Sequence, residues 1–283
     1  MFRWFLPKDG GGKVRRYIQF RKEMLDRVYR SKDRYPCRPV TLFDFRRLDD
    51  AADAMKAQEK DVDSWRLSDD RVIGGFSKSA SVFINSDEDY LRLMEGEEIQ
   101  SKDGSRASSD QSDSTFLPFL RWHGNLDTAV GLRSNVQRSG FAAIRSPEYP
   151  LDGANLQGHY NALEIVCRSC GRMYTVNLKV ITSIPNDIYQ GHIMNANSQI
   201  DGNGNLIGHF DTFVLPFADF RLTSMGRQRE VHRTLDDKIK IESIGLALMD
   251  GKNGPFQFDL VRIRAVNIMD DGRIFEREQD MSD

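Results

Sequence analysis

Short stretches in which apolar and polar residues alternate fill the chain from residue 116 to about residue 266. Examples run from Leu163 to Cys167, from Tyr174 to Val180 and from Ile244 to Leu248. A period of two places successive side chains on opposite faces of a strand, so each stretch predicts a β-strand with one buried face. Many short strands separated by turns are typical of a β-sandwich of jelly-roll type, so the predicted fold class is all-β.

Three details of this pattern make specific structural predictions. The stretches at 163–167 and 174–180 are joined by a short turn and predict a β-hairpin. After Leu260 the apolar positions shift phase by one residue, which predicts a β-bulge. Residues 41–45 predict a first strand ahead of this β-rich region.

Composition excludes several function classes. The formal net charge is −2, so nucleic-acid binding through a general basic excess is not expected. No apolar run approaches the roughly 20 residues that a membrane-spanning helix needs. The three cysteines are an odd number without disulfide-framework spacing, and there is no Asn-x-Ser/Thr sequon, which favours a reducing intracellular compartment.

The first 40 residues form a basic extension that precedes the predicted domain. Residues 1–22 carry seven Lys or Arg residues and one acid, Asp9, which suits either a mitochondrial transit peptide or a solvated basic arm. Residues 17–30 predict an amphipathic helix that either packs on the domain or docks on a membrane surface. Pro36 and Pro39 mark the boundary.

Residues 41–270 are predicted to form one jelly-roll domain, followed by a polar tail at 271–283. Within the domain, residues 86–114 contain 7 Ser and 9 acidic residues against 3 basic ones. This composition predicts a disordered insertion, whose serines permit phosphorylation although a solvated loop is the simpler interpretation. Residues 48–60 predict a short helix.

Two motifs resemble metal or redox sites. Cys167 and Cys170 form a Cys-x-x-Cys pair, but a structural zinc needs four ligands and the sequence has neither a second pair nor a His-x₃₋₅-His motif. Residues 201–205 resemble the start of a calcium loop, yet Leu206 and Thr212 occupy the positions where an EF-hand needs Gly and Glu. Both motifs are therefore interpreted as structural, with a metal-dependent or redox enzyme as the remaining alternative.

Motifs of catalysis and phosphate binding are absent: there is no Gly-x-Ser-x-Gly, Gly-x-Gly-x-x-Gly or Walker sequence. Asp69 and Asp70 stand beside the Gly74-Gly75 turn, where an aspartate more often caps backbone N–H groups than performs acid–base chemistry. Trp65 and Trp122 are possible platforms for sugar stacking, although core packing is the better interpretation of Trp65. A carbohydrate-binding module is therefore the alternative to a protein that binds other proteins.

Ordered short motifs extend over roughly residues 41–267, beginning with Phe43-Asp44-Phe45 and including Val176-Asn177-Leu178-Lys179. The residues that we call the family-pattern residues are Trp65, Ser68, Asp69, Ile73, Gly74, Gly75, Ser77, Ser139, Gly140, Phe141, Pro216, Phe217, Phe220, Arg227, Gly245, Gly254, Pro255 and Phe256. Together they resemble the complex I intermediate-associated protein family. Many ordered motifs are more specific than any single one.

The resemblance implies a galactose-binding-like jelly roll with a short N-terminal helical extension. It also implies a non-enzymatic assembly factor, or chaperone, for mitochondrial NADH:ubiquinone oxidoreductase (respiratory complex I). Such a protein binds an early membrane-arm intermediate and other assembly factors, including an acyl-CoA-dehydrogenase-like protein, in the matrix and peripherally on the inner membrane. The resemblance implies no catalytic, cofactor-binding or metal-ligating residues, so the family-pattern residues are expected to be structural or to lie in interfaces. Glycines 74, 75 and 140 are expected to provide backbone freedom, and Trp65 and Phe141 to lie in the core.

Overall fold

The computed structural model describes residues 37–47, 64–95, 116–130, 139–149, 153–156, 159–181, 187–194, 199–201, 205–224, 227–228, 235 and 240–276. The helices predicted at 17–30 and 48–60, the basic segment at 1–22 and the tail beyond residue 276 lie outside these residues. Among the described residues, no helix has both the length and the apolar character needed to cross a bilayer.

The described residues are mainly β-structure. In chain order the strands are β1 (Val40–Asp44), β2 (Arg66–Asp69), β3 (Lys78–Ile84), β4 (Phe119–Leu126), β5 (Ala142–Arg145), β6 (Ala154–Asn155), β7 (Ala162–Ser169), β8 (Met173–Val180), β9 (Asp187–Met194), β10 (Gln199–Ile200), β11 (Leu206–Ile207), β12 (Asp211–Pro216), β13 (Arg221–Ser224), β14 (Arg227–Gln228), β15 (Lys240–Leu248) and β16 (Gly254–Val266). One α-helix, α1 (Asp87–Met94), and 3₁₀ helices at Asp70–Ile73 and Phe217–Asp219 complete the described elements.

Two antiparallel sheets face each other and form a jelly-roll β-sandwich, which confirms the predicted fold class. The first sheet has the order β12-β7-β16-β4-β3, and β1 also pairs with β16. The second sheet has the order β14-β13-β9-β8-β15-β5-β2, and β6 also pairs with β15. A separate hairpin consists of β10 and β11.

The core lies between the sheets and follows the predicted alternation. Along β8, every second residue from Tyr174 to Val180 is buried. The register of β16 against β7 shifts between Leu260 and Arg262, so the predicted β-bulge is confirmed. Trp65 packs edge-on against Phe43, with ring centroids 5.2 Å apart, and anchors one end of the core.

The hairpin predicted for residues 163–180 is wrong, because its two strands belong to different sheets. Strand β7 pairs with β12 and β16, whereas β8 pairs with β9 and β15. The residues between them, Cys170 to Arg172, therefore cross from one sheet to the other. Alternation shows that one face of each strand is buried but not which sheet the strand joins, so a hairpin and a crossover give the same pattern.

The disorder predicted for residues 86–114 is wrong for the first part of that range, because α1 occupies Asp87–Met94. The Ser86 hydroxyl accepts the N–H of Asp89 at 3.1 Å and caps the helix N-terminus. Tyr90 and Leu93, three positions apart, pack on an apolar cluster at the outer face of the first sheet. The prediction rested on the average composition of residues 86–114, so it did not detect this apolar pair. Residues 96–115 lie outside the described residues.

Candidate functional site

A buried carboxylate joins two segments that carry family-pattern residues, at 65–77 and 139–141. Asp70 is fully buried, and its Oδ1 accepts the backbone N–H of Ser77 at 2.8 Å. Its Oδ2 accepts the hydroxyls of Ser77 at 2.8 Å and Ser139 at 2.6 Å, and the N–H of Gly140 at 2.6 Å. We call Asp70, Ser77, Ser139 and Gly140 the Asp70 node. It ties the turn at 70–77 to a segment about 70 positions later in the chain.

The Asp70 node is built to hold structure. Burial by itself raises the pKa of Asp70, but hydrogen bonds from Ser139, Gly140 and Ser77 outweigh it and hold the pKa below its ordinary value. An ionised carboxylate whose two oxygens accept these donors is poorly suited to exchange protons with a substrate. The expectation that an aspartate here caps backbone N–H groups is met by Asp70.

The three glycines around the node serve two different purposes. Gly74 and Gly140 have φ values of +88° and +91°, a region that L-residues with side chains rarely adopt. Gly75 has no such φ; instead, a Cβ there would lie 2.3 Å from Asp70 Cγ and 2.4 Å from Ser139 Oγ. Gly75 is therefore needed for space, which the sequence interpretation in terms of backbone freedom did not anticipate.

We expect Gly75→Ala to destabilise the protein by about 3 kcal/mol, the upper end of overpacking costs, because hydrogen bonds fix the atoms that the new methyl group would meet. Urea unfolding measures the change. The control is Gly251→Ala, where a Cβ meets nothing within 4 Å and only the φ of +72° opposes it. That control should lose about 1 kcal/mol. Equal losses at the two positions would contradict the steric explanation.

The turn above the node exposes apolar side chains. Asp69 caps the N-terminus of the 3₁₀ helix and pairs with Arg71 through Oδ1···Nε and Oδ2···Nη2 contacts of 2.8 and 2.7 Å. Beyond this pair, Val72 is 74% exposed, Ile73 37% and Phe76 53%. We call Val72, Ile73 and Phe76 the apolar turn. Its backbone is fixed from below by the Asp70 node while its side chains face solvent, an arrangement suited to contact with another molecule.

Several other family-pattern residues lie at the same end of the sandwich. Thr128, whose Cα and Cγ2 would contact a Cβ at Gly140, donates its N–H to Asn253 Oδ1 at 2.7 Å. Asn253 immediately precedes Gly254 and Pro255 at the start of β16. Phe256 is buried, and Phe141, which was expected in the core, is partly exposed and accepts the Asp70 N–H through its carbonyl at 3.2 Å. Trp65 is buried as expected, but it packs against Phe43 and Phe45 farther along the sandwich.

The remaining family-pattern residues are placed elsewhere. Pro216 lies opposite Ala162, which in turn lies opposite Val266 at the far end of β16 from Gly254. Phe217 and Phe220 are buried beside it, with ring centroids 6.3 Å apart. Gly245 lies within β15 opposite Arg145, and Arg227 lies in β14, the last strand at the other edge of the second sheet. These residues therefore do not form a single site.

Neither tryptophan that the sequence suggested as a platform for sugar stacking is exposed in the structure. Trp65 and Trp122 are each 1% exposed, and Trp122 packs edge-on against Phe256 with ring centroids 5.0 Å apart. Among the described residues, Phe76 is the one exposed Phe, Tyr or Trp. Part of the outer face of the second sheet is polar: it carries Asn177 and Gln190, whose side chains are hydrogen-bonded to each other at 2.9 Å.

The Cys-x-x-Cys pair is embedded in the fold. Cys167 lies in the core, and burial, followed by nearby Asp211 and Asp259, raises the pKa of its thiol well above the ordinary value. Cys170 Sγ lies 3.2 Å from the hydroxyl of Tyr174 and accepts the N–H of Gln257 at 3.4 Å. Within the described part of the chain, no group of three or more His, Cys, Asp or Glu residues is arranged to hold a metal ion. A protonated, buried thiol is a poor nucleophile and metal ligand.

The calcium-like loop joins β10 and β11, and its described residues hold each other. Asp201 Oδ1 accepts the N–H of Asn205 at 2.7 Å, and Oδ2 accepts the Asn205 side-chain amide at 3.3 Å. Asp201 thus acts as a turn-capping residue. Residues 202–204 lie outside the described residues.

A buried ionic cluster on the outer face of the first sheet was missed by sequence reasoning. Asp259 accepts Nε of Arg121 and Nε of Arg168, both at 2.7 Å, and all three side chains are buried. Arg168 also donates Nη1 to the carbonyl of Gly208 at 2.9 Å, and its guanidinium lies 4.6 Å from the ring centroid of Phe210. Tyr90 of α1 and Phe210, which follows β11, lie over the Arg168 guanidinium. The ionic cluster therefore attaches α1 and the segment around β11 to the outer face of the first sheet.

Comparison with known proteins decides the family. The family model for complex I intermediate-associated protein 30 matches residues 54–260, which is more than half of the chain. The chain belongs to this family. The match includes the Asp70 node and the apolar turn.

A curated relative and solved structures add detail. The mitochondrial complex I intermediate-associated protein 30 of Neurospora crassa is 25% identical over 177 residues, which is 60% of this chain and 60% of the relative. A family 11 carbohydrate-binding module of the cellulase Lic26A-Cel5E from Clostridium thermocellum superposes with a TM-score of 0.43 at 12% identity, covering 80% of this chain and 94% of that one. A second structure of a Clostridium thermocellum family 11 module, in complex with a mixed-linked tetrasaccharide, has a TM-score of 0.40 at 14% identity, with 72% and 88% covered. The jelly-roll assignment rests on the strand order and not on these similarities.

Proposed function

We propose that this protein assists the assembly of mitochondrial respiratory complex I by binding other proteins, without catalysing a reaction. Family membership and the mitochondrial relative support an assembly role in mitochondria. The proposed partners are an early membrane-arm intermediate and other assembly factors, including an acyl-CoA-dehydrogenase-like protein. The proposed location is the matrix, with peripheral association at the inner membrane.

The state of the titratable groups singled out by the sequence supports a non-enzymatic role. Asp69 is paired with Arg71, and Asp70 is held by neutral donors in the node. The thiol of Cys167 is buried, and its raised pKa disfavours the thiolate. Each of these groups is engaged in holding the fold together.

The observation that carries the proposed binding function is the apolar turn. Exposed Val72, Ile73 and Phe76 stand on a backbone fixed by buried hydrogen bonds. A turn that is already ordered loses little conformational entropy on binding, so its apolar contacts add directly to affinity. An aromatic side chain surrounded by aliphatic ones is typical of the residues that dominate protein–protein binding energies.

The experiment compares partner capture by the full chain and by a Val72→Ser/Phe76→Ser variant in mitochondria depleted of the endogenous protein. We expect the wild type to retrieve a membrane-arm intermediate and to restore mature complex I on native gels. The variant should retrieve at least about tenfold less, because two exposed anchors are worth more than about 1.4 kcal/mol together. Its thermal midpoint should stay unchanged, since both side chains face solvent.

The matched control is Leu91→Ser, which removes a 60% exposed apolar side chain from α1, on the opposite sheet. This variant should retrieve partners as well as the wild type does. Equal loss in the control and the double variant would contradict a specific role of the apolar turn. Complex I that assembles normally without the protein would contradict the assembly function itself.

A further inference from the structure

Three methionines form a row across neighbouring strands of the second sheet. Met173 of β8 lies directly opposite Met194 of β9. On its other side, β8 pairs with β15 up to Leu248 opposite Tyr174. Met249 is the next residue of the chain after Leu248, so the same register places it opposite Met173. We call Met173, Met194 and Met249 the methionine row.

An ion pair supports the continuation of this register beyond Tyr174 and Leu248, the last residues paired between β8 and β15. Arg172 donates Nη2 and Nε to the two carboxylate oxygens of Asp250, at 2.6 and 2.9 Å. A position of Arg172 opposite Asp250 continues the register that places Met173 opposite Met249. Both members of the ion pair are largely buried, so the contact holds the crossover at residues 170–172 against the turn that follows β15.

The methionine row faces solvent. Met173, Met194 and Met249 are 47%, 60% and 70% exposed, whereas their strand neighbours Tyr174 and Ile193 are buried. Alternation along each strand therefore puts the three thioethers on the outer face of the second sheet. Exposed methionines in a row are not required by the packing of the core.

One histidine lies on the same face, one pleat along. His192 precedes Met194 by two residues on β9 and lies opposite Thr175, and its Nδ1 is 3.4 Å from the Thr175 hydroxyl. His192 is exposed, and in the neutral tautomer with its proton on Nδ1 the Nε2 atom has a lone pair for a metal ion. Asp250, the carboxylate that directly follows Met249, is paired with Arg172.

The spacing allows these donors to converge. Neighbouring strands lie about 4.8 Å apart, and directly opposite Cβ atoms about 5 Å apart. Methionine has three rotatable side-chain bonds, so sulfurs on adjacent strands can lean toward one point above the sheet. An imidazole two residues along the same strand lies within reach of that point.

We propose that Met173, Met194 and Met249, with His192, form a binding site for Cu(I). Thioether sulfur is a soft, uncharged ligand, and soft ligands select Cu(I) over Mg²⁺, Ca²⁺ or Mn²⁺, which prefer oxygen. Imidazole is compatible with the same ion. The site lies apart from the Cys-x-x-Cys pair, and it does not depend on the proposed assembly function.

The test uses the full-length chain carrying Cys170→Ser, so that a partly exposed thiol does not compete for the ion. The protein is labelled with ¹³C at the methionine methyl groups and titrated with Ag(I), a redox-inert analogue, and then with Cu(I) under anaerobic reducing conditions. The methyl signals of the methionine row should shift together and saturate at one ion per chain. The signals of the other methionines should stay in place. Single Met→Leu variants assign the signals.

Competition with a chromophoric Cu(I) chelator supplies the second readout. The Met173→Leu/Met194→Leu/Met249→Leu variant should lose Cu(I) to the chelator at concentrations that leave the parent loaded. Leucine keeps a similar volume at exposed positions, so the variant should retain the circular dichroism spectrum and thermal midpoint of the parent. The matched control is Met94→Leu at the end of α1, which should bind as the parent does.

Three outcomes would overturn the proposal. The methyl signals of the row do not move, the shifts occur at other methionines, or the triple variant binds Cu(I) as tightly as the parent does. A row whose methyl signals respond only to a partner protein, and not to either ion, would assign these methionines to a docking surface instead.

Discussion

Replacing Asp259 by leucine should destabilise the protein by about 3–5 kcal/mol, because one buried carboxylate neutralises two buried guanidinium groups. Arg121 donates Nε and Nη2 to its two oxygens at 2.7 and 2.8 Å, and Arg168 donates Nε at 2.7 Å. Burial disfavours the charge of Arg121, but the contact with Asp259 keeps the pKa of this guanidinium raised, so it stays charged. Loss of Asp259 would leave two cations in an apolar region with no counter-charge.

Urea unfolding of the full chain, monitored by the fluorescence of the buried Trp65 and Trp122, measures this loss of stability. The informative control replaces the whole cluster: Arg121→Met/Arg168→Met/Asp259→Leu. Because the desolvation of three charges is then avoided, this variant should be within about 1 kcal/mol of the wild type or more stable. A triple variant as unstable as the single one would show that volume, and not unbalanced charge, determines the effect.

The sequence predicted the sandwich but could not predict this cluster. Arg121 and Asp259 lie opposite each other on the outward face of β4 and β16, with buried neighbours on either side of each along its strand. Outward-facing charges are ordinarily solvated, and nothing in the local pattern indicated that α1 and the β10–β11 segment cover this face. Arg121 and Asp259 are also 138 positions apart, so their ion pair exists only once β4 and β16 are adjacent.

The sequence predicted only part of the candidate site, because its central contacts also join residues that are far apart in the chain. Residues on both sides of Asp70, and Ser139 itself, are family-pattern residues, and an aspartate that caps backbone N–H groups was expected beside the Gly74-Gly75 turn. That the two segments share one carboxylate depends on a contact across 69 positions. The exposure of Val72 and Phe76 could not be inferred either, since apolar residues beside a strand ordinarily predict burial. The methionine row depends on the register of three strands, which alternation alone does not set.

Asp70→Asn should destabilise the protein by about 3 kcal/mol or more, because hydrogen bonds to a charged acceptor are worth about 1.5–3 kcal/mol each and buried donors left unpaired add a further cost. Asp70 accepts two backbone N–H groups and two hydroxyls. An asparagine keeps one oxygen acceptor but presents an N–H₂ group where the second oxygen stood. If that group takes the place of Oδ2, it meets the N–H of Gly140, a donor facing a donor.

The matched control is Asp127→Asn in the neighbouring loop. Among the described residues, the Asp127 carboxylate caps just the N–H of Ala129, at 2.9 Å and in an exposed position. The contact of Asp127 with the Ser77 hydroxyl uses its backbone carbonyl and N–H, which the substitution leaves in place. Surface changes of this kind usually alter stability by less than about 0.5 kcal/mol. Chemical unfolding of the two variants at pH 7 therefore separates the buried carboxylate from a nearby exposed one.

The same node predicts a direction for the pH dependence. The pKa of Asp70 is lowered in the folded protein, so the unfolded chain takes up its proton first as the pH falls. The contribution of Asp70 is therefore fully present above the unfolded pKa of about 3.9 and is lost as the pH falls through the lower folded value. The Asp70→Asn variant should lack this part of the acid destabilisation, so its stability deficit relative to the wild type should shrink below about pH 4. A deficit that stays constant from pH 7 to pH 3 would show that shape complementarity, and not the ionised carboxylate, holds the two segments together.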